Sequence, residues 1–262
     1  MLQDHLITRL CIKTARYLFG QKFMKVMAGP LRGYRWTTRS SYEYIIGNYE
    51  DPAVLETFCS WLKPNTVFYD LGGNVGFYAI LANRFITEGK IYSFEPLPAV
   101  RAVFEKHLAI NQKLLINNNI SILPFAIADE EREISFSNNA KQQDGNTYIK
   151  GSSVYAAAKD IIWVKAFPID GLLQKGYEPP DIIKIDVEGA EYDVLCGAVN
   201  TLQQYKPNIL LATHDCHLPG VKDKCIDLLQ ELGYIIKHTG HYNKQVEGLD
   251  DYIAVHPVKQ DH

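Results

Sequence analysis

Thr66-Val67-Phe68-Tyr69-Asp70-Leu71-Gly72-Gly73-Asn74-Val75-Gly76-Phe77-Tyr78 is the stretch on which the fold turns. Its first six residues are β-branched, aromatic or apolar apart from Asp70, and read as a strand. Glycines at 72, 73 and 76 follow, and an apolar run from Val75 to Phe85 then reads as a helix. A strand feeding a helix through glycines is the opening unit of a parallel α/β sheet. Such glycines let backbone approach a ligand closely, and the helix N-terminus offers free N–H groups. The nicotinamide fingerprint fails, because position 74 is Asn and position 77 is Phe. No Gly-Lys-Ser/Thr follows, so the stretch is not a P-loop either. Asp70 would repel a pyrophosphate but could receive the ammonium of an amino-acid-like ligand. The plainer alternative is a glycine turn with Asp70 capping the helix.

Outward from this unit, apolar runs alternate with helical patterns. Lys90–Glu95, Asn119–Phe125, Asp181–Asp186 and Asn208–His214 read as further strands. Helices are expected from about Pro98 to Ile110, Ala190 to Tyr205 and Val221 to Leu232. Tyr234–His238 and Tyr252–Val255 would be the last two strands, joined by a turn-rich segment too short for a helical crossover. Glu133–Ser137 and Ile161–Phe167 look like extra strands around a polar segment. The expectation is an α/β domain over 64–262, with a seven-stranded, mostly parallel sheet and an antiparallel last strand. Residues 1–63 are expected as an N-terminal helical cap, with an amphipathic helix from Leu2 to Met27, a break at Gly29–Gly33, and a helix to about Leu62 capped by Asp51-Pro52.

With 47% hydrophobic and 22% charged residues and a net charge of −3, the 262-residue chain lacks the basic surface of a general nucleic-acid binder. No apolar run reaches membrane-spanning length, and no leader pattern stands at the N-terminus. Five cysteines without a C-x-x-C read as reduced thiols of a cytoplasmic protein. Residues 1–40 hold eight basic side chains against Asp4 alone. That excess is either a solvated helix face or a peripheral contact with an anionic surface.

Ligands of such sheets bind at the carboxyl ends of the strands. Glu95 ends the second strand, 19 positions after Gly76, where a carboxylate can accept from both hydroxyls of a ribose. A carboxylate before the glycines and a second one here suggest an adenosine carrying an amino acid. S-adenosyl-L-methionine fits that description.

Three segments, Phe68–Tyr78, Phe94-Glu95-Pro96 and Ile183-Lys184-Ile185-Asp186-Val187-Glu188-Gly189-Ala190-Glu191, resemble the signatures of FkbM-type methyltransferases. The resemblance covers roughly residues 45–215. It implies a Rossmann-like class I methyltransferase fold, S-adenosyl-L-methionine as donor, and an oxygen acceptor on a sugar, polyketide or related small molecule. It also implies that Asp70, Gly72, Gly73, Asn74, Gly76 and Phe77 frame the methionine part. Glu95 and Pro96 would take the ribose, and Phe125-Ala126 the adenine with Asp129 as a polar contact. Gly73 stands where the family more often has alanine, a difference expected to cost little. Ala212-Thr213-His214 departs from the acidic residue that many members carry there.

Asp186 ends the central strand and is the candidate catalytic group facing sulfonium and hydroxyl, while an ion pair with Lys184 is the plainer role. Glu188 is a candidate catalytic residue or a helix cap, and Glu191 reads as a solvated or structural carboxylate. His214 is the natural base for an acceptor hydroxyl. Around it, Asp215, Cys216 and His217 could instead form a polar loop, or with Asp186 a divalent metal site. Their spacing matches no zinc pattern, so no metal is expected. The polar segment 138–160 and the aromatics Tyr34, Trp36, Tyr42 and Tyr44 could border a small-molecule or glycan acceptor. A non-catalytic nucleoside-binding scaffold, docked through the basic N-terminus, is the second reading.

Overall fold

The computed structural model describes residues 23–38, 42–47, 50–137, 161–240 and 247–258. It opens with β1 (Phe23–Lys25) and β2 (Arg35–Thr37), an antiparallel hairpin, followed by α1 (Tyr42–Ile46) and α2 (Pro52–Trp61). The main sheet begins with β3 (Val67–Leu71), α3 (Phe77–Asn83), β4 (Lys90–Phe94), α4 (Pro98–Asn111) and β5 (Ile120–Leu123). Three short strands then leave it, β6 (Ala126–Ile127), β7 (Arg132–Ser137) and β8 (Ile161–Phe167). The chain returns through α5 (Ile169–Gln174), β9 (Ile182–Ile185), α6 (Glu191–Cys196) and α7 (Val199–Tyr205). It closes with β10 (Asn208–His214), α8 (Val221–Glu231), β11 (Ile235–His238) and β12 (Leu249–Val255).

The seven-stranded sheet has the order β11-β12-β10-β9-β3-β4-β5. The five strands from β10 to β5 run parallel, and β12 lies antiparallel between β10 and β11. This is the expected Rossmann-like architecture. Chain direction across the sheet reverses at β3, which sits between β9 and β4, so the binding crevice opens above the carboxyl ends of these three strands. β9 is buried along its whole length, as a central parallel strand covered on both faces must be.

The N-terminal segment departs from the expected helical cap. Residues 1–22 lie outside the described residues, but Phe23–Lys25, expected as the end of a helix, is a strand. Gly29 and Gly33, at φ 78° and 93°, bound the turn of the hairpin that it forms. Tertiary contact fixes this choice. Trp36 is fully buried with its ring stacked 4.0 Å from that of His107 on α4. The Thr37 N–H donates to His107 Nε2 at 3.0 Å, so His107 Nδ1 carries the proton and donates to the Val75 carbonyl at 2.8 Å. Burial holds this imidazole neutral, with its pKa lowered to about 4. Trp36, Tyr34 and Tyr44 therefore seal the core that the N-terminal segment shares with the sheet. Asp51 caps α2 as expected, accepting from Ala53 N–H at 2.8 Å.

Two further differences have local causes. The helix expected from Ala190 to Tyr205 is split into α6 and α7 at Gly197, where a Cβ would lie 2.1 Å from the Ala128 carbonyl oxygen. The third strand, expected over Asn119–Phe125, ends at Leu123, and Ala126 and Ile127 just beyond it pair with β8. In the resulting three-stranded sheet, Ile134, Phe136, Val164 and Ala166 turn inward onto Leu97 and Ala190. That sheet roofs the crevice.

Candidate active site

The crevice above β3, β4 and β9 is lined by Gly72, Asn74, Glu95, Pro96, Ala126 and Asp186, all expected at a ligand, and by Glu188. Its remaining walls are mostly apolar: Leu71, Phe94, Leu97, Val100, Ile127, Ile134, Phe136, Val187 and Ala190.

One side is built almost entirely by backbone. The N–H groups of Gly72 and Gly73 both donate to the Phe94 carbonyl, at 3.1 and 3.0 Å, which ties the glycine turn to the end of β4. Asn74 follows with φ 46°, and its N–H donates to Glu95 Oε2 at 3.0 Å. The Leu97 N–H donates to Glu95 Oε1 at 2.9 Å. Arg101 Nη1 holds the Glu95 and Pro96 carbonyls at 3.0 and 2.6 Å. Both Glu95 oxygens are thus oriented while each keeps a lone-pair direction free. Burial outweighs these hydrogen bonds and raises the Glu95 pKa to about 7.

The other expected members of this half support it from behind. Asp70 is 1% exposed beneath the glycines, where Ser93 Oγ donates to its Oδ2 at 2.9 Å. Burial raises its pKa, against Lys184 and Ser93. Gly76 has φ 93°, and a Cβ there would sit 2.1 Å from the Phe104 ring. Phe77 is buried in the first turn of α3 against Tyr78 and Tyr44. Phe125 packs edge-on between Phe94 and Phe167, and Asp129 pairs with Arg132 at the surface. At Gly73 a Cβ would lie 1.9 Å from Ser93 Oγ, so with serine at 93 glycine fits and alanine would require the serine to move. Ser93 was invisible as a site residue because only the sheet register sets it beside Asp70.

The second side is built by charged side chains. Lys184, on β9, is buried and sits 3.2 Å from Asp186 Oδ2 and 3.7 Å from Asp70 Oδ1. It donates to the Gly72 carbonyl at 2.9 Å and lies over the Tyr78 ring. Burial alone would lower its pKa, but Asp186 and Asp70 outweigh burial and raise it. The plainer role for Lys184 and Asp186, an ion pair, is therefore realised. Asp186 also faces β10, with Oδ1 3.6 Å from His214 Nε2. Gly72 joins the halves, since a Cβ at this φ 73° position would lie 1.9 Å from the Asp186 carbonyl oxygen.

His214 is 6% exposed between three carboxylates. Its Nδ1 is 2.8 Å from Glu191 Oε1, which also accepts the Gly189 N–H at 2.9 Å. Its Nε2 lies 3.5 Å from Glu188 Oε2. Burial works against the charged imidazole, but the Glu191 hydrogen bond and the carboxylates outweigh it and push the pKa up to about 10. Glu188, at φ 57°, does not cap α6; its Oε2 also lies 3.1 Å from His217 Nδ1, whose ring stacks on that of His214. Glu191 is not solvated but fully buried. Asp215 caps α8 through the Lys222 N–H at 2.8 Å, and Cys216 is exposed. Glu50 was not anticipated: it hydrogen-bonds Tyr78, and burial with the Asp251 and Asp186 charges raises its pKa to about 8. The aromatics Tyr34, Trp36 and Tyr44 are packed in the core, and segment 138–160 lies outside the described residues.

The family model of the methyltransferase FkbM domain matches residues 70–236. Methyltransferase sdnD of Sordaria araneosa is 24% identical over 200 residues, covering 67% of this chain and 76% of that protein. Hexuronic acid methyltransferase AglP of Haloferax volcanii is 25% identical over 142 residues, covering 54% and 53%. In fold, the chain is similar to the crystal structure of methyltransferase FkbM from Methylobacillus flagellatus KT, with a TM-score of 0.51 and 14% identity. That match covers 74% of this chain and less than half, 44%, of the other.

Proposed function

From a chain that belongs to the FkbM methyltransferase family, we propose an O-methyltransferase that moves a methyl group from S-adenosyl-L-methionine to a hydroxyl of a sugar or related small molecule. The observation that carries this reading is Glu95, a buried carboxylate with each oxygen oriented by one backbone N–H at the mouth of an apolar crevice. Vicinal ribose hydroxyls are the donors that such a fork accepts. Leu97, Ala126 and Ile127 offer an adenine an apolar bed, and Gly72 and Asn74 leave room for the amino-acid part. Bound there, the donor supplies a methyl group on a sulfonium, a good leaving group.

The protein's own residues then have two tasks. The first is positioning: an in-line displacement needs the acceptor oxygen held in near-attack geometry, and Asp186, bordering both the crevice and His214, is placed to do that. As the O–C bond forms and the S–C bond breaks, the hydroxyl proton must leave. The Asp186 carboxylate takes it, steadied from Nε2 by the His214 imidazole that its neighbouring carboxylates keep protonated and that Glu191 fixes through Nδ1. The carboxylates also favour a cationic centre at this end, which suits a sulfonium. The carbohydrate acceptor class draws support from AglP, whose name gives hexuronic acid as its acceptor.

Calorimetric titration with S-adenosylmethionine, S-adenosylhomocysteine and NAD tests the donor. We expect micromolar binding of both sulfur nucleosides, none of NAD, and a loss of about 100-fold in Glu95→Ala, the scale of a charge-assisted hydrogen-bond pair. Equal binding by Glu95→Ala would remove the ribose assignment. No binding of either sulfur nucleoside would sink the methyl-donor reading.

A further inference from the structure

We propose that Asp186, Glu188 and His214 form a binding site for a divalent first-row cation at the acceptor edge of the crevice. The three residues offer one ligand atom each, and these atoms lie within 4.8 Å of one another. From His214 Nε2 the carboxylate oxygens stand at 3.5 and 3.6 Å. Ligands about 2.1 Å from one ion are separated by about 3.0 Å at a right angle and about 3.4 Å in a tetrahedron. The two separations from the imidazole are already near these values, and a side-chain adjustment that brings the two carboxylates together closes the set around a cation.

A second, independent feature points the same way. His214 is a nine-tenths buried side chain with only Nε2 aimed into the cluster, because Nδ1 is committed to Glu191. Glu191 is itself fully buried and held by the Gly189 N–H. A carboxylate behind the imidazole, fixing its tautomer and aim, is the usual supporting arrangement for a metal-bound histidine. Charge adds a reason: Asp186, Glu188 and Glu191 crowd one imidazole, and Asp186 shares the Lys184 ammonium with Asp70. Two carboxylates and one imidazole suit Mn²⁺ or Zn²⁺ better than a purely oxygen-ligated ion. Three protein ligands leave positions for the hydroxyl or carboxylate of an acceptor. That use of the cation rests on the hydroxyl-acceptor reading above, whereas the binding of the cation does not.

Mn²⁺ is the probe, because its paramagnetism reports binding without turnover. Titrated into the whole protein, it is expected to bind at one equivalent, with a ¹⁴N coupling from the imidazole in the pulsed spectrum. Glu188→Gln and Asp186→Asn should each weaken binding at least 20-fold while keeping a cooperative melt. Glu130→Gln, an exposed carboxylate elsewhere, should leave it unchanged. Absence of binding at millimolar Mn²⁺, binding without nitrogen coupling, or equal affinity in Glu188→Gln would each overturn the site. Nitrogen-coupled Mn²⁺ in a protein that binds no sulfur nucleoside would keep the cation site and remove the donor reading.

Discussion

The two halves of the crevice solve the problem of holding a ligand in opposite ways. On the Glu95 side, one carboxylate is aimed by the N–H groups of Asn74 and Leu97, and the surrounding wall is apolar. On the Asp186 side, Lys184, Glu188, Glu191, His214 and His217 hold one another through side-chain contacts of 2.8–3.6 Å. Backbone positions are set by the sheet and turn, so the first half is rigid and tolerant of change around it. Side-chain charge networks stand or fall together, because each member's desolvation is offset only by its neighbours.

The sharpest way to break this contrast is to remove the cation that connects the halves. Lys184→Met takes the shared ammonium away from buried Asp70 and part-exposed Asp186. Loss of about 3–5 kcal/mol in denaturant unfolding is expected, the scale of a broken buried ion pair. A loss below about 1 kcal/mol would show that the two halves are energetically separate.

Acid titration sharpens the contrast from the donor side. Glu95 is raised from 4.5 to about 7 by burial, so between these values the folded state keeps a proton that the unfolded state releases. Stability from this group therefore falls as pH rises from 4.5 through 7, by on the order of 3 kcal/mol, and is level above and below. Glu95→Gln should flatten that part of the wild-type stability curve. Thermal or urea unfolding of the two proteins at pH 5 and pH 8 measures the difference, and parallel curves would contradict a buried, proton-holding Glu95.

The smallest effect concerns the turn itself. Gly73→Ala drives a methyl into Ser93 Oγ and displaces it from Asp70, at an expected cost of about 1–2 kcal/mol. In Gly73→Ala/Ser93→Ala the clash is gone, so a double-mutant cycle should show coupling of about 1 kcal/mol. Strict additivity would mean that the loop shifts instead of the serine.

The strand-to-helix glycine turn, Glu95 and the Asp186-x-Glu188 segment were legible in the sequence because their chemistry is local. Strand periodicity fixes the parity of each residue, and strand ends mark where ligands meet a parallel sheet. Less legible was which carboxylates would be buried. Glu191 looks like any acidic first-turn residue, and only the packing of α6 against β10 puts it behind His214. Ser93 gained its role through register with Asp70. The hairpin at Phe23–Thr37 carried no strand alternation long enough to outweigh its amphipathic look, and it is decided by Trp36 and Thr37 meeting His107.

The sequence by itself determined the α/β class, the mostly parallel character of the sheet and the carboxylates available at the crevice, since periodicity, glycines and strand-end residues are properties of neighbouring positions. Only the tertiary structure decided how those charges are shared. Asp70 is spent on Ser93 and Lys184, His214 is fixed by Glu191, and Lys184 and Asp186 together link the two halves. The physical reason is that a charge's role depends on burial and on partners up to 114 positions away, as with Asp70 and Lys184 across the sheet, and neither is written in local spacing.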